Sequence, residues 1–269
     1  MSLKDKTLLI TGASRGIGRA IALRAARDGA SIAIVGKTVE PQPKLVGTIH
    51  DAADEVIAAG GKAIALAGDI RDEEQVRWVV AQTVEQFGGI DILVNNASAI
   101  SLTGTLDTPM KKFDLMHQVN QRGTFITSQA CLPHLLQSGN PQILTLCPPP
   151  SLDARWFGPH LAYTLAKMGM SFVTMGLAEE FRGRVSVNGL WPRTLIATAA
   201  LTQIEGGVRP EHCRSPEIVA DAAHAILTRP NPGSGRFFID EEALREAGIN
   251  DLDRYSLVPE GQLQTDLFL

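Results

Sequence analysis

Short apolar runs alternate along this chain with longer stretches in which apolar residues recur every three or four positions. The runs predict strands over residues 6–10, 31–35, 62–67, 90–94, 142–146, 185–190 and 235–239. The helical spacing predicts helices after residue 16, over 51–59, 73–87 and 109–136, around 163–167, and from 216 to 228. This alternation predicts an α/β fold, a single-domain doubly wound Rossmann fold whose parallel sheet has about seven strands with helices on both faces.

Two long interruptions of the alternation predict irregular segments. Residues 38–49 carry Pro41 and Pro43 and are expected to form a long loop near the adenosine end of a nucleotide site. Residues 193–213 join polar and apolar positions around the pair Gly206-Gly207, and we expect them to form a hinged lid over a substrate.

The first predicted strand ends in a glycine-rich turn, Thr11-Gly-Ala-Ser-Arg-Gly-Ile-Gly18, which leads into the first helix. Glycines let the main chain approach a pyrophosphate, and a helix N-terminus offers free N–H groups and partial positive charge. A second strand follows at once, and this βαβ context is typical of a dinucleotide site. The predicted cofactor-binding residues in the turn are Gly12, Ser14, Arg15, Gly16, Ile17 and Gly18.

The end of the second strand bears on the choice between NADP and NAD. An Asp or Glu there would bind a ribose 2′-hydroxyl, but this chain has Gly36 and Lys37. Arg15 and Lys37 are placed to bind a 2′-phosphate, so we predict NADP as the cofactor, with NAD less favoured. The alternative is that both residues are solvated surface cations.

Two further strand ends carry candidate ligand-binding residues at the edge where ligands bind in such sheets. Asp69 and Ile70 follow the third strand, and Asn95-Asn96-Ala97 follows the fourth. An Asn side chain donates and accepts hydrogen bonds at once, which suits a site that fixes both a strand and a ribose. An ordinary turn is the alternative for the asparagine pair. The cofactor-binding candidates at these positions are Asp69, Ile70, Asn95 and Ala97.

Tyr163 and Lys167 stand four residues apart and therefore share one face of a predicted helix. An ammonium about 5 Å from a phenol favours the phenolate by roughly 3 kcal/mol at an effective dielectric near 20. Lys167 is therefore expected to lower the pKa of Tyr163 and make the phenol a working acid/base. The alternative is an amphipathic helix with a snorkelling lysine.

Asn120 lies inside the long helix predicted over 109–136. Asparagine is a poor residue for a helix interior, so this position indicates a role for the side chain. Pro133 is expected to kink or end the same helix.

Composition limits the classes of protein to which the chain could belong. Its 269 residues suit one domain, 1–269, of which 240–269 form a C-terminal extension. A net charge of −4 argues against nucleic-acid binding, and no apolar run reaches the ~18 residues of a membrane span. Three widely spaced cysteines predict free thiols in a reducing compartment and no metal site. The N-terminus runs straight into a strand without a leader pattern, so a cytoplasmic location is expected.

Four separated motifs together resemble the short-chain dehydrogenase/reductase family: TGASRGIG at 11–18, NNA at 95–97, Asn120, and YTLAK at 163–167. The resemblance implies that Tyr163 is the catalytic acid/base and that Lys167 lowers its pKa and holds the nicotinamide ribose. It implies that Asn120 organises a water linking Lys167 to solvent. It also implies that Pro192 and Thr194 lie at the cofactor, and that the chain forms homodimers or homotetramers through two long helices.

The chain departs from that family's pattern near the expected substrate. Where the family has a serine that holds the substrate carbonyl, this chain reads Cys147-Pro148, part of a stiff extended turn. Proline has no donor and a thiol is a weak one, so Ser98, Thr145 and Ser151 stand as substitutes. Losing one positioned donor can cost ~100-fold in rate. Arg193, where the family commonly has glycine, brings a cation close to the expected nicotinamide carboxamide.

These residues predict an NADP(H)-dependent oxidoreductase that transfers hydride between the nicotinamide and a secondary alcohol or ketone, with Tyr163 exchanging the proton. Trp156, Phe157 and Trp191 would line an apolar pocket for a lipid-like, acyl or steroid-like small molecule. Ordinary core packing is the alternative for these aromatic residues. The missing serine motivates a rival hypothesis, a dinucleotide-binding redox sensor or scaffold with little or no turnover.

Overall fold

A computed structural model of the chain describes residues 2–42, 46–199, 201, 209–258 and 261–269. The strands are β1 (Thr7–Thr11), β2 (Ser31–Gly36), β3 (Lys62–Ala67), β4 (Ile92–Asn95), β5 (Gln142–Leu146), β6 (Ser186–Trp191) and β7 (Phe237–Ile239). Within the described residues they form one parallel sheet in the order β3-β2-β1-β4-β5-β6-β7. The strand order reverses between β1 and β4, which confirms the predicted doubly wound Rossmann fold and places a ligand crevice there.

Helices cover both faces of this sheet. They are α1 (Gly16–Ala26), α2 (Ile49–Ala58), α3 (Glu73–Phe87), α4 (Met110–Met116), α5 (Gly123–Leu135), α6 (Ala154–Phe157), α7 (Leu161–Glu180), α8 (Glu217–Leu227) and α9 (Asp240–Glu246). Short 3-10 turns lie at Thr105–Asp107, Pro210–His212 and Asp253–Tyr255.

Two apolar layers pack on the sheet. One layer includes Ile21 of α1 and Ile218 of α8, and the other includes Val80 of α3 and Leu135 of α5. Central strands such as β1 are buried on both faces, which explains why their sequences read as continuous apolar runs.

The long helix predicted over 109–136 is continuous but changes its geometry part-way. A π-helical segment, His117–Arg122, joins α4 to α5 and contains the buried Asn120. Pro133 lies inside α5, which ends two residues later, at Leu135. Single-turn π-helical insertions are frequent at functional sites.

Several boundaries differ from the sequence prediction. The last strand begins at Phe237 because Gly233 and Gly235 have positive φ angles, which strand residues do not adopt. Helices α6 and α9 were not predicted, since each is too short to show a periodic pattern. Of the expected lid, residues 200 and 202–208 with the hinge Gly206-Gly207 lie outside the described residues, as does Pro43 of the loop over 38–49.

Candidate active site

Hydrogen bonds from the end of β4 hold the glycine-rich turn between β1 and α1. The Asn96 side chain donates to the carbonyls of Thr11 and Gly12 at 2.9 and 3.0 Å. The Thr11 hydroxyl accepts from the backbone N–H groups of Asn96 and Ala97, both at 3.1 Å. Gly12 has a φ of +66°, and a Cβ on Gly18 would lie 2.5 Å from the Asn96 amide nitrogen. Asn96 therefore shapes the turn, a role that sequence reasoning did not assign although the NNA motif contains it.

Three cations and one carboxylate surround the ends of β2 and β3. Arg15 donates to the Gly47 carbonyl at 2.7 Å, while Lys37 Nζ lies 3.2 Å from Asp69 Oδ2. Arg71 also binds Asp69, at 2.5 Å. The hydrogen bond from Arg71 is the main reason why the pKa of Asp69 falls to about 2. One carboxylate thus faces two cations, and Arg15 adds a third positive charge nearby.

Other predicted cofactor-binding residues on this edge have mainly packing contacts. Asn95 is buried, and its side-chain amide donates to Ser128 of α5 at 3.0 Å. A ribose contact from Asn95 would therefore come from its main chain. Ile70 is buried against the start of α5, where a Cβ on Gly123 would lie 2.6 Å from Ile70 Cδ1. Ser14 is buried within the glycine-rich turn itself.

Lys167 reaches from α7 to the carboxyl end of β5. Its Nζ donates to the Leu146 carbonyl at 2.8 Å and lies 3.4 Å from Ser98 Oγ. The residue is 3% exposed, and burial lowers the pKa of its ammonium to about 8. The ammonium also lies 5.1 Å from the centre of the Trp191 ring. Sheet and helix together therefore fix this cation at the edge where a dinucleotide binds.

Tyr163 lies on the same helix but in a different environment from the one predicted. It is 5% exposed, and within the described residues its hydroxyl makes no hydrogen bond. Burial, and secondarily the charge of Asp266, raise the pKa of Tyr163 above its ordinary value. The expected lowering by Lys167 is thus wrong for this conformation, because the phenol loses its hydration and the negative charge of Asp266 lies nearby.

Asn120 fixes the segment that follows β4. Its Oδ1 accepts from the Ala99 N–H at 2.7 Å, and its Nδ2 donates to the Ala99 carbonyl at 3.0 Å. The π-helical segment thereby holds Ala99, and with it Ser98 beside Lys167. This paired hydrogen bond accounts for an asparagine in the middle of a helix.

Comparison with known proteins supports the same interpretation of this edge of the sheet. Residues 6–206 match the family model described as short chain dehydrogenase. The chain belongs to the short-chain dehydrogenase family. This family consists of oxidoreductases, and the fold is the one its solved members share.

Several relatives resemble the chain closely. Hydroxysteroid dehydrogenase-like protein 2 of Danio rerio is 57% identical over 98% of this chain, which spans 63% of that protein's length. A protein from Xanthomonas campestris, known from its crystal structure, is 63% identical in sequence. Its TM-score is 0.98, over 100% of this chain and 99% of the other. A short chain dehydrogenase from Mycobacterium thermoresistibile is 49% identical, with a TM-score of 0.94 over 100% and 96% of the two chains. Among the described helices, none is both long and apolar enough to cross a membrane.

In this short-chain dehydrogenase, the residues expected at the nicotinamide form a polar cluster after β6. Thr194 Oγ1 is buried and makes no hydrogen bond within the described part of the chain. The Arg193 N–H donates to Asp240 Oδ1 at 2.8 Å, and its guanidinium pairs with Glu242. The cation therefore points to α9, and the Thr194 hydroxyl is a buried polar group without a hydrogen-bond partner among the described residues. With Pro192 beside it and the glycine-rich turn across the edge, this donor set fits a nicotinamide dinucleotide.

The candidate replacements for the family's serine have different surroundings. Cys147 is fully buried, its Sγ lies 3.7 Å from Thr174 Oγ1, and burial raises its thiol pKa to about 11. Its thiol therefore has no exposed surface from which to reach a substrate. Ser151 Oγ accepts from the Asp153 N–H at 3.2 Å, whereas Ser98 contacts Lys167.

Residues near the C-terminus of the chain complete the site, and sequence reasoning missed them. Phe268 is 6% exposed and stacks on Tyr163 with ring centroids 6.2 Å apart. The Leu267 carbonyl accepts from Trp191 Nε1 at 2.8 Å. The half-buried Asp266 loses hydration at its carboxyl, which raises its pKa to about 7. The apolar ending Leu-Phe-Leu was the available signal.

Proposed function

We propose that the chain is an NADP(H)-dependent short-chain dehydrogenase that interconverts a secondary alcohol and a ketone. The observation that carries this proposal is the position of Lys167, anchored to the end of β5 on the same helix face as Tyr163. The bound nicotinamide would supply the hydride. Tyr163 would exchange the proton with the substrate oxygen, and Lys167 would supply the positive charge that favours phenolate once the phenol is uncovered.

Preference for NADP follows from the charges at the ends of β2 and β3. Lys37 and Arg71 share Asp69, and Arg15 is held against the 46–48 loop, so the net charge there is positive. A 2′-phosphate would gain charge-assisted hydrogen bonds in that field. We expect Lys37→Ala to lower kcat/KM for NADPH by about tenfold or more while NADH changes little, since one such bond contributes about 1.5–3 kcal/mol. Lys111→Ala, at an exposed position on α4, is the matched control.

The apolar side chains around Tyr163 suit a small apolar substrate. Trp156, Trp191, Ile100 and Leu102 pack in one cluster with the tyrosine. A lipid-like, acyl or steroid-like carbonyl compound would suit these walls.

The test is turnover of a panel of ketones with NADPH and NADH, followed by loss of reduced nicotinamide. Wild-type activity that disappears in Tyr163→Phe, with NADPH binding kept, would support the proposal. Tight NADPH binding without turnover of any ketone would instead favour the second candidate, a dinucleotide-binding redox sensor or scaffold. Phe268 over Tyr163 and the buried Cys147 are the observations behind that candidate.

Self-association forms part of the proposed function. One stripe of α7 leaves Leu165, Phe172 and Met175 exposed, and Phe125 is exposed on α5. Apolar faces of this kind are typical of subunit interfaces, so we propose a homodimer or homotetramer through these helices. Phe172→Glu is expected to give monomers in light-scattering measurements. The buried free cysteines suit a reducing compartment such as the cytoplasm.

A further inference from the structure

Three aromatic side chains surround the phenyl group of Phe268. Its ring centroid lies 6.2 Å from that of Tyr163, 5.8 Å from that of Trp156 and 5.9 Å from that of Trp191. We call these three residues the aromatic box. Its walls come from α6, α7 and β6, whereas its occupant comes from a segment about a hundred residues further along the sequence than α7.

The segment carrying Phe268, residues 264–268, is bound edge to edge against the loop that follows β6. Leu195 N–H donates to the Gln264 carbonyl at 2.9 Å, and Asp266 N–H donates to the Arg193 carbonyl at 3.0 Å. Thr194 and Thr265 form an antiparallel bridge between these bonds. We call residues 264–268 the strap. It is attached by hydrogen bonds to that loop, to His212 and to the Trp191 indole, and it is not a strand of the central sheet.

The backbone at Phe268 is in the left-handed region, with a φ of +73°. For a residue with a side chain this conformation costs about 1–2 kcal/mol and persists only where surrounding contacts compensate. Contacts of the phenyl group within the aromatic box supply that compensation. The main chain at Phe268 is thus strained in order to keep an aromatic ring against the tyrosine.

The ring lies against Tyr163, whose phenol oxygen a substrate has to reach. Proton exchange requires a substrate oxygen within about 3 Å of the phenol oxygen, and the group attached to the carbonyl carbon must then lie against the surrounding aromatic walls. Flat apolar groups pack well against such walls in offset or edge-to-face arrangements. Replacing one such ring by another keeps the walls of the box covered, so exchange costs the hydrogen bonds of the strap and the exposure of the displaced phenyl group to water.

We propose that the aromatic box is the subsite for the apolar group of the substrate, an aryl or compact alicyclic group attached to the reacting carbon. Phe268 occupies this subsite in the present conformation and leaves it when substrate binds. That the bound molecule is a substrate rests on the proposed function. That Phe268 occupies its subsite rests on the ring contacts and on the hydrogen bonds of the strap.

The test measures binding of 2-naphthol by calorimetry. The carbon that bears the hydroxyl group of this phenol carries no hydrogen, so the compound cannot give up a hydride. Phe268→Ala removes the phenyl group. Phe268→Gly removes it too, and it relieves the left-handed strain, so the strap can keep its backbone conformation. Leu257→Ala, at a side chain 43% exposed in the same C-terminal region, is the control.

We expect 2-naphthol to bind about tenfold more tightly to both Phe268 variants than to wild type or Leu257→Ala. A competing side chain reduces the apparent association constant in proportion to the fraction of time that the site is free. Tightening of about threefold or more in the glycine variant supports the proposal, and a smaller change or weaker binding overturns it. Thermal melting of each variant shows whether it is folded. If Phe268→Ala is unfolded, the binding result for Phe268→Gly is the one that decides.

Ketone reduction by the same proteins separates this inference from the proposed function. If no ketone is turned over by wild type or by Phe268→Gly while 2-naphthol binding tightens, the proposed function fails and the subsite remains as a ligand site. If ketones are turned over but 2-naphthol binding does not tighten, the proposed function holds and the subsite assignment is overturned.

Discussion

The ammonium of Lys167 donates a 2.8 Å hydrogen bond to the carbonyl of Leu146, the last residue of β5. Burial at this position lowers the pKa of Lys167 from 10.5 to about 8, so folding places a charged amine where it is poorly hydrated at neutral pH. A residue retained at such a cost is characteristic of a functional site. Stability and activity should therefore respond in opposite directions when this amine is removed.

We predict that Lys167→Met raises the free energy of unfolding by about 1 kcal/mol at pH 7 while abolishing ketone reduction. The shift in pKa corresponds to about 3 kcal/mol of charge burial. The unpaired Leu146 carbonyl would return about 1–2 kcal/mol of that gain. Urea unfolding measures the difference, and Lys111→Met at an exposed position is the matched control. A lower stability for the Lys167 variant would show that its hydrogen bonds outweigh the cost of burial.

The same shift predicts how stability depends on pH. Because the pKa of Lys167 is lower in the folded than in the unfolded chain, the unfolded chain binds more protons between about pH 8 and 10.5. The cost of burying the charge is fully present below pH 8 and disappears as the pH rises through that window. The stability advantage of Lys167→Met over wild type should therefore shrink from about pH 8 upward and reverse before pH 10.5, as urea titrations at several pH values would show.

Activity should follow the charge on the same amine. Under the proposed function, alcohol oxidation needs Tyr163 as phenolate, and the cation that would favour phenolate is lost as the pH rises through about 8. We expect kcat/KM for oxidation to fall above this pH, since kcat/KM reports the pKa values of the free enzyme. Lys167→Arg keeps its charge at every accessible pH, so any activity that it retains should lack the alkaline fall. An equal fall in both proteins would assign it to another group.

Asn120 provides a further prediction, because its side chain pairs with both main-chain groups of Ala99. Replacing it by Ala leaves a part-buried N–H and a part-buried carbonyl without these partners, at about 1–3 kcal/mol for each group. We expect Asn120→Ala to lose about 2–4 kcal/mol of stability and to lower kcat more than it raises KM for NADPH. Asn250→Ala, on the exposed surface, should behave as wild type. Unchanged unfolding in the Asn120 variant would mean that water replaces both bonds.

The fold and the position of Tyr163 and Lys167 on one helix were predictable from the sequence because their signals are local. Apolar runs predicted the strands of the parallel sheet. The glycine-rich turn and the Tyr163–Lys167 spacing predicted the edge of the sheet at which a cofactor would bind. Asn120 was noticed for the same reason, as a poor helix former inside a helix. Its contact with Ala99 was not predictable, since it depends on how a π-helical segment meets the loop after β4.

The strap could not be predicted because nothing local specifies its partners. Phe268 is about a hundred residues from Tyr163 along the chain, and its left-handed backbone is compensated only by tertiary contacts. The same contacts explain why the expected pKa of Tyr163 was wrong. Charge spacing along α7 predicts attraction by Lys167, but burial beneath Phe268 and the neighbouring Asp266 depends on the whole fold.

The glycine-rich turn allows a prediction with a close internal control. A methyl group at Gly18 would lie 2.5 Å from the Asn96 amide nitrogen and 2.8 Å from the Gly12 carbonyl oxygen. Gly18→Ala should therefore displace Asn96 and weaken NADPH binding about tenfold or more, with a loss of about 1–3 kcal/mol in stability from overpacking. At Gly139 an added Cβ meets nothing within 4 Å, so Gly139→Ala should leave binding unchanged. Equal NADPH affinity in the two variants, measured by fluorescence titration, would contradict this account of the turn.

A substitution at Thr194 is expected to change stability and cofactor affinity in opposite directions. Its hydroxyl is buried and makes no hydrogen bond within the described residues, which costs the chain stability until a partner arrives. Thr194→Val keeps the shape and removes that polar group, so the chain without cofactor should gain about 1 kcal/mol. NADPH should bind more weakly by about fivefold or more, because the carboxamide loses its partner. Thr105→Val, at an exposed position away from the glycine-rich turn, is the matched control. Weaker NADPH binding without a gain in stability would show that another group already satisfies the hydroxyl, and a gain in stability with unchanged binding would remove Thr194 from the cofactor site.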